Sequence, residues 1–405
     1  MLGGETGSLR YVARRVPNNR QIRVSLTAIF ASMGFFVGSW ASRIPAVKSE
    51  FHLSPGRLGL LLACMTLGAV AGSPLAGYAS ARFGSRALLR VAAPVATFAF
   101  AGIALAPSIP VLAAALFLSG AANGLVQVSM NAQAIALEGR YRRTILSTMH
   151  GGFSVGMMAG ALIAALVAHF EISYRAHLLI VAAFLLVIAL AIGFFLIETD
   201  PAPRAHRPRL RLSLPLAVII AVAFFELFCE GTASSWSSVY MHDSIGASSA
   251  IAALTFGLYS LTMTAGRLFG DRLVLRLGVG GLVRGGGTLA LAGMGLALAV
   301  RSPFVALIGF ALFGLGLSCQ APTLFRAAGQ LPLPEGQGLA AVMAAAWPAF
   351  LLVAPVIGGL ASISSLRTAL LATLGAAAAM IVLSGGLGRL APAPLASTAA
   401  APEHD

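Results

Sequence analysis

The chain has 405 residues, of which 58% are hydrophobic and only 10% charged, with a mean hydropathy of +0.89. That composition excludes an ordinary soluble domain, which would expose too much apolar surface to stay in solution, and points to a polytopic membrane protein. The net charge of +14 is spread as short arginine clusters between apolar runs, so it reads as membrane topology rather than as a nucleic-acid surface.

Residues 1–23 are polar and basic, carrying Arg10, Arg14, Arg15, Arg20 and Arg23. The apolar run that follows is longer than a signal-peptide core, so no cleaved signal is expected. A helix needs about 20 apolar residues to cross the bilayer core. Such runs predict helices over 24–44, 57–80, 87–106, 110–136, 147–168, 176–197, 213–240, 250–269, 282–300, 304–325, 337–360 and 367–388, twelve in all. Connections are short except 198–212, where Pro201, Pro203, Arg204, Arg207, Pro208, Arg209 and Arg211 read as a linker between units at 24–197 and 213–389, with a tail over 390–405. Alternating crossings put 21 basic residues on one side and 6 on the other, which places both termini in the cytoplasm. Lys48 is the only lysine, a bias that hints at a GC-rich bacterial genome and so at a plasma (inner) membrane.

Cys64, Cys229 and Cys319 lie far apart in apolar runs and read as core residues, with no disulfide, metal or cofactor expected. No phosphate-binding loop of the ATPase type is present in the sequence, so energy for any transport must come from a gradient.

The two halves repeat. Ser39-Trp40-Ala41-Ser42 matches Ser235-Trp236-Ser237-Ser238 at an offset of 196, Arg82-Phe83-Gly84 matches Arg276-Leu277-Gly278 at 194, and Gln127 stands 193 residues before Gln320. A common offset is what a duplicated six-helix unit leaves.

Glu226 and Glu230 are acids inside the apolar run 216–236. A charge there costs about 2.5–3.5 kcal/mol on insertion scales, and four residues apart the two share a helix face. Two ionised carboxylates so close in a low dielectric repel, so the pair reads as a proton carrier or gate; the alternative is a pair neutralised by a basic residue that holds helices together. Asn123, Gln127 and Asn131, at intervals of four, form a polar stripe that either hydrogen-bonds a hydroxylated solute or ties helices together, with Gln320 as a second-half mate. Glu138, among Arg140, Arg142 and Arg143, reads as a solvated ion pair. His150 and Ser154 lie one turn apart but lack an orienting acid and an oxyanion hole, so no enzyme is expected, and His150 joins the candidate solute ligands. Gly152, Gly156 and Gly160 form a ridge that lets helix backbones approach closely. Trp40, Trp236 and Trp347 either anchor interfaces or line a cavity mouth.

Twelve spans, a basic central linker and paired halves resemble the major facilitator superfamily over essentially the whole chain. Gly77-Tyr78-Ala79-Ser80-Ala81-Arg82-Phe83-Gly84-Ser85-Arg86 is similar to its signature loop between the second and third helices, with Ala81 where the usual aspartate stands, and Gly266-Arg267-Leu268-Phe269-Gly270-Asp271-Arg272 looks like the second-half counterpart that retains an acid. Gly38-Ser39-Trp40-Ala41-Ser42-Arg43-Ile44-Pro45, the stretch from Asn123-Gly124 through Met130-Asn131-Ala132 to Glu138, His150-Gly151, Ser154-Val155-Gly156, and Glu230-Gly231 through Trp236-Ser237 resemble the branch of rhizopine-transporter-like (MosC-like) and fucose-permease-like proteins. Gln127 and Ser235 depart from that branch, which would carry aspartates there.

The resemblance implies an all-α membrane protein with twelve transmembrane helices in two pseudo-symmetric six-helix bundles. It implies that the first and seventh helices face each other, which brings Arg43 within reach of Glu230 as an outer gate; snorkelling of Arg43 to the interface is the alternative. It also implies a charge latch at the cytoplasmic helix ends carried by Asp271 with Arg267, Arg272, Arg82 and Arg86. The expected activity is secondary active transport of a small polar solute, sugar- or inositol-like, by alternating access and coupled to protons. Export of a drug or secondary metabolite is the alternative, against which the missing antiporter proline in the fifth helix and the missing arginine near Gly120 count; a non-transporting membrane sensor is another. Expected partners are the solute, protons and the lipid bilayer, with no nucleic acid, and the chain is expected to act as a monomer.

Overall fold

The computed structural model describes residues 18–141, 145–198, 212–333, 337–346 and 348–387, with the backbone alone at Ser147 and Asp271. Among these residues there is no β-strand, and twelve helical segments are long and apolar enough to cross a membrane. They are α1 (Asn19–Glu50), α2 (Pro55–Phe83), α3 (Ser85–Leu105), α4 (Ile109–Tyr141), α5 (Leu146–His169), α6 (Tyr174–Phe195), α7 (Leu214–Ser244), α8 (Ser249–Arg267), α9 (Gly270–Ala299), α10 (Pro303–Gly329), α11 (Gln337–Ala346 continued by Pro348–Ile363) and α12 (Leu366–Leu387). Several outrun their apolar stretches because hydropathy marks only the bilayer core: the 32 residues of α1 span roughly 48 Å against a core of about 30 Å. Side-chain caps set many of the starts, including Asn18 with Gln21 in a capping box before α1, and Ser54, Ser173, Ser248 and Ser365 before α2, α6, α8 and α12.

The duplication seen in the sequence is carried into the backbone. Ser54 and Ser248, 194 apart, cap the corresponding helices, and Gly84 and Gly278, also 194 apart, have φ of +79° and +68°. Only glycine enters that region without strain, so both halves bend at the same register position. This corrects the expectation of a plain loop between α8 and α9. The helix resumes at Gly270 and breaks at Gly278. In that register the position matching Ala81 is Leu275, so Asp271 stands one turn earlier than the acid it was expected to replace.

Packing repeats as well. In each half the first helix packs against the fifth and sixth, the second against the fourth, and the third against the fourth and sixth. The α1–α5 contact is backbone against backbone: a Cβ on Gly34 would lie 1.9 Å from the Phe153 carbonyl oxygen, and one on Gly156 1.9 Å from that of Ala31. The expected glycine ridge on α5 therefore has its partner.

An even number of crossings leaves both described chain ends at one end of the bundle, the terminus end; the other is the far end. At the far end the halves close on each other. A Cβ on Gly59 of α2 would lie 2.4 Å from the Ala354 carbonyl oxygen of α11, one on Gly358 2.6 Å from that of Pro55, and Ser42 Oγ of α1 donates to the Ala253 carbonyl of α8 at 3.3 Å. One apolar core joins the far end of the first half to the second half, whereas Ile22, Leu26, Leu89, Val126, Leu137 and Met149 form a separate core at the terminus end of the first half. The far end of the first half thus shares one core with the second half, while its terminus end packs as a core of its own.

Candidate functional site

Glu226 and Glu230 sit roughly 18 and 24 Å along α7, a helix of 31 residues, and so flank its middle. Glu226 is 0% exposed and neither carboxylate oxygen has a hydrogen-bond partner; Glu230, one turn on, is half-buried. A buried carboxylate without a partner is among the costliest groups a fold can hold, which sets this position apart from ordinary core. The compensating charge comes from Arg267 at the end of α8, which interacts electrostatically with both acids and with His150 of α5. The Tyr259 hydroxyl, buried and unpartnered, feels Glu226, Glu230 and Arg267 as well.

Arg267 also joins the halves. Its Nη1 donates to Ser154 Oγ of α5 at 2.9 Å, its Nε to the Ser318 carbonyl of α10 at 3.3 Å, and its Nη2 to Met263 Sδ at 3.6 Å. Ser154 is buried and donates in turn to the His150 carbonyl at 3.2 Å. The His150 ring is exposed and meets Phe30 edge-on at 5.0 Å. The cluster therefore holds two acids, one arginine and one histidine across the seam between the halves, with Arg267 as its hub. Among the described residues, no group of three or more His, Cys, Asp and Glu side chains is arranged to hold a metal ion.

Several expectations change. The contact expected between Arg43 and Glu230 does not form in this conformation: Arg43 Nη2 donates to the Ile172 carbonyl in its own half, and its Nε is buried without a partner. Arg267, expected in a latch at a helix end, is half-buried and bonds Ser154 of α5 and the Ser318 carbonyl of α10, acting on the acids through its charge rather than by contact. Of the other latch residues, Arg82 stays with Tyr78 and Phe83 on its own helix, Arg86 pairs with Glu198 at 3.6 Å, and Arg272 is exposed. The side chain of Asp271 lies outside the described residues, as do Arg142, Arg143 and Trp347.

The amide stripe is engaged with its own backbone. Asn123 Nδ2 donates to the Ser119 carbonyl and Asn131 Nδ2 to that of Gln127, both at 2.8 Å, while Gln127 is half-buried. Asn123 lines a cavity of about 50 Å³ inside the first half, among Ser32, Met33, Phe36, Thr97 and Leu185, and not the seam. Gln320 is buried between α9 and α10, where its Nε2 donates to the Gly316 and Val283 carbonyls. Trp40 and Trp236 are both core residues, and the Trp236 ring abuts Gly358. Glu138 has a further role beside the expected ion pair, whose partners Arg142 and Arg143 lie outside the described residues: its Oε1 accepts from the backbone N–H groups of Ile145 and Leu146 at 2.6 and 2.9 Å and so caps α5.

Sequence reasoning missed Gln133, whose amide bonds Ser85 Oγ and both the N–H and carbonyl of Ile197, tying α4 to α3 and the end of α6. It also missed Lys48 and Asp243, which form an ion pair of 2.6 Å between α1 and α7 at the far end. The solitary lysine was the available signal.

Comparison with known proteins agrees with this architecture. The model of the family described as Major Facilitator Superfamily matches residues 24–341. The uncharacterized transporter y4wD of Sinorhizobium fredii is 34% identical over 348 residues, covering 84% of this chain and 92% of that protein. The membrane protein MosC of Rhizobium meliloti is 32% identical over 370 residues, covering 88% and 90%. Among solved structures, a D-xylose–proton symporter superposes with a TM-score of 0.74 at 16% identity over 92% of this chain and 98% of the symporter, and the nucleoside transporter NupG with 0.71 at 13% over 91% and 99%.

Proposed function

The chain belongs to the major facilitator superfamily, and from that premise we propose that it is a proton-coupled secondary transporter of a small polar solute, working by alternating access between its two halves in a plasma membrane. A bundle sealed at one end and separately packed at the other is one of the two end states such a cycle requires. The excess of arginine at the terminus end supports a cytoplasmic placement of that end, and on this reading the conformation is inward-facing.

The observation that carries the coupling is the placement of Arg267. Its charge acts on two carboxylates of α7 without pairing with either, while its Nη1 bonds Ser154 in the opposite half. A proton arriving on the pair replaces Arg267 as the charge partner and frees it for Ser154. A proton leaving draws the guanidinium back toward α7. Protonation and the α5–α8 seam are thereby linked through one side chain, which is what coupling demands: a ligand shifts a conformational equilibrium only by interacting differently with the two states. The exposed His150 beside this hub, with the half-buried Gln127 and Asn131, supplies hydrogen-bonding groups for a solute.

The test is uptake into proteoliposomes under an imposed pH gradient, with a panel of sugars, polyols and nucleosides. A solute accumulated with the gradient and lost on its collapse supports the reading. Flux indifferent to the pH gradient for every transported solute contradicts the coupling.

A further inference from the structure

Among the described residues, the side-chain ion pairs between full charges number three, and only one crosses the seam. Arg86–Glu198 and Arg175–Glu50 lie within the first half, whereas Lys48 at the end of α1 pairs with Asp243 at the end of α7. The crossing pair is also the shortest, at 2.6 Å against 3.6 and 3.2 Å, and with side chains 19% and 26% exposed it is shielded enough to escape most salt screening. Its geometry depends on a local irregularity: α7 closes in a π-turn over Tyr240–Ser244, where Ile245 N–H donates to the Tyr240 carbonyl. Such turns re-aim side chains and recur at functional positions. His242 Nδ1, 2.8 Å from the other Asp243 oxygen, fixes the carboxylate from the second side. Both expected candidates for this task are otherwise occupied, since Arg43 is held by Ile172 of its own half and Glu230 lies deep on α7.

We propose that Lys48–Asp243 is the ion lock of the far end, the electrostatic contact that holds the outer side shut in the inward-facing state and parts when that side opens. This rests on the alternating-access reading. The apolar and glycine contacts around it supply close packing with no charge selectivity, whereas this pair has a direction and can be inverted.

The test uses the full chain in lipid nanodiscs, with Cys64, Cys229 and Cys319 replaced by alanine and spin labels at Pro107→Cys and Ser364→Cys, exposed far-end positions in opposite halves. The parent should give one dominant short distance. Lys48→Met and Asp243→Asn should each raise the long-distance fraction by roughly two- to fivefold, the range a partly shielded pair supports. The charge-swapped double variant Lys48→Asp with Asp243→Lys should return it toward the parent. Parent-like distributions in both folded single variants, or a swap that stays as open as they are, would overturn the lock. Uphill flux of the parent is measured separately: its absence would overturn the functional reading, while the distances alone decide the lock.

Discussion

At the scale of single residues, the decisive feature is a shortage of positive charge. Glu226 is fully buried without a hydrogen bond, and Arg267 is the cation acting on it. Removing Arg267 takes its charge away from the acids and breaks its hydrogen bonds to Ser154 and the Ser318 carbonyl, each bond to a charged group worth about 1.5–3 kcal/mol. Arg267→Ala should therefore lower the melting temperature in detergent by several degrees, and adding Glu226→Gln should recover part of it. A double variant melting no higher than the single would show that the two do not interact. Glu138→Ala should cost about 1 kcal/mol through loss of the α5 cap, while Arg140→Ala should leave thermal unfolding unchanged; equal effects would restore the ion-pair reading. Both glutamates of α7 were legible because acids inside an apolar run have few innocent explanations. Their partner was not, since Arg267 falls where the run ends and a one-dimensional reading assigns such arginines to the membrane surface. Lys48 and Asp243 were hidden for the same reason: charges at helix ends look solvated until the ends of two distant helices meet.

At the scale of elements, the twelve helices follow from hydropathy, and their close packing from glycine spacing. Gly156→Ala should push α1 from α5, because the added Cβ would lie 1.9 Å from a backbone oxygen that cannot retreat alone. Overpacking of this kind costs about 1–3 kcal/mol. Gly375→Ala, where a Cβ meets nothing within 4 Å, is the matched control. Detergent melting that drops for Gly156→Ala and not for Gly375→Ala is the expected result; equal melting would remove the close approach. Gly278→Ala should cost a similar 1–3 kcal/mol, roughly, from its left-handed backbone. What hydropathy could not give was the break within α9. The short segment after Gly270 is amphipathic and lies between longer apolar runs, so it looked like loop, although the Arg-Leu-Gly repeat at offset 194 already marked its end.

At the scale of the whole molecule, a shared core at the far end and a separate one at the terminus end of the first half are what the proposed alternating-access cycle needs of one of its end states. The sequence carried the repeat, the seam helices and the acids; it did not carry which end is shut, because that depends on distances between residues some 200 positions apart. The most direct test of proton coupling through the α7 acids compares two assays on one variant. In proteoliposomes loaded with the solute that the wild type transports, Glu230→Gln should abolish accumulation driven by a pH gradient while retaining exchange of labelled for unlabelled solute, since an amide can hydrogen-bond but cannot load and release a proton. Full gradient-driven accumulation by Glu230→Gln, and likewise by Glu226→Gln, would contradict it.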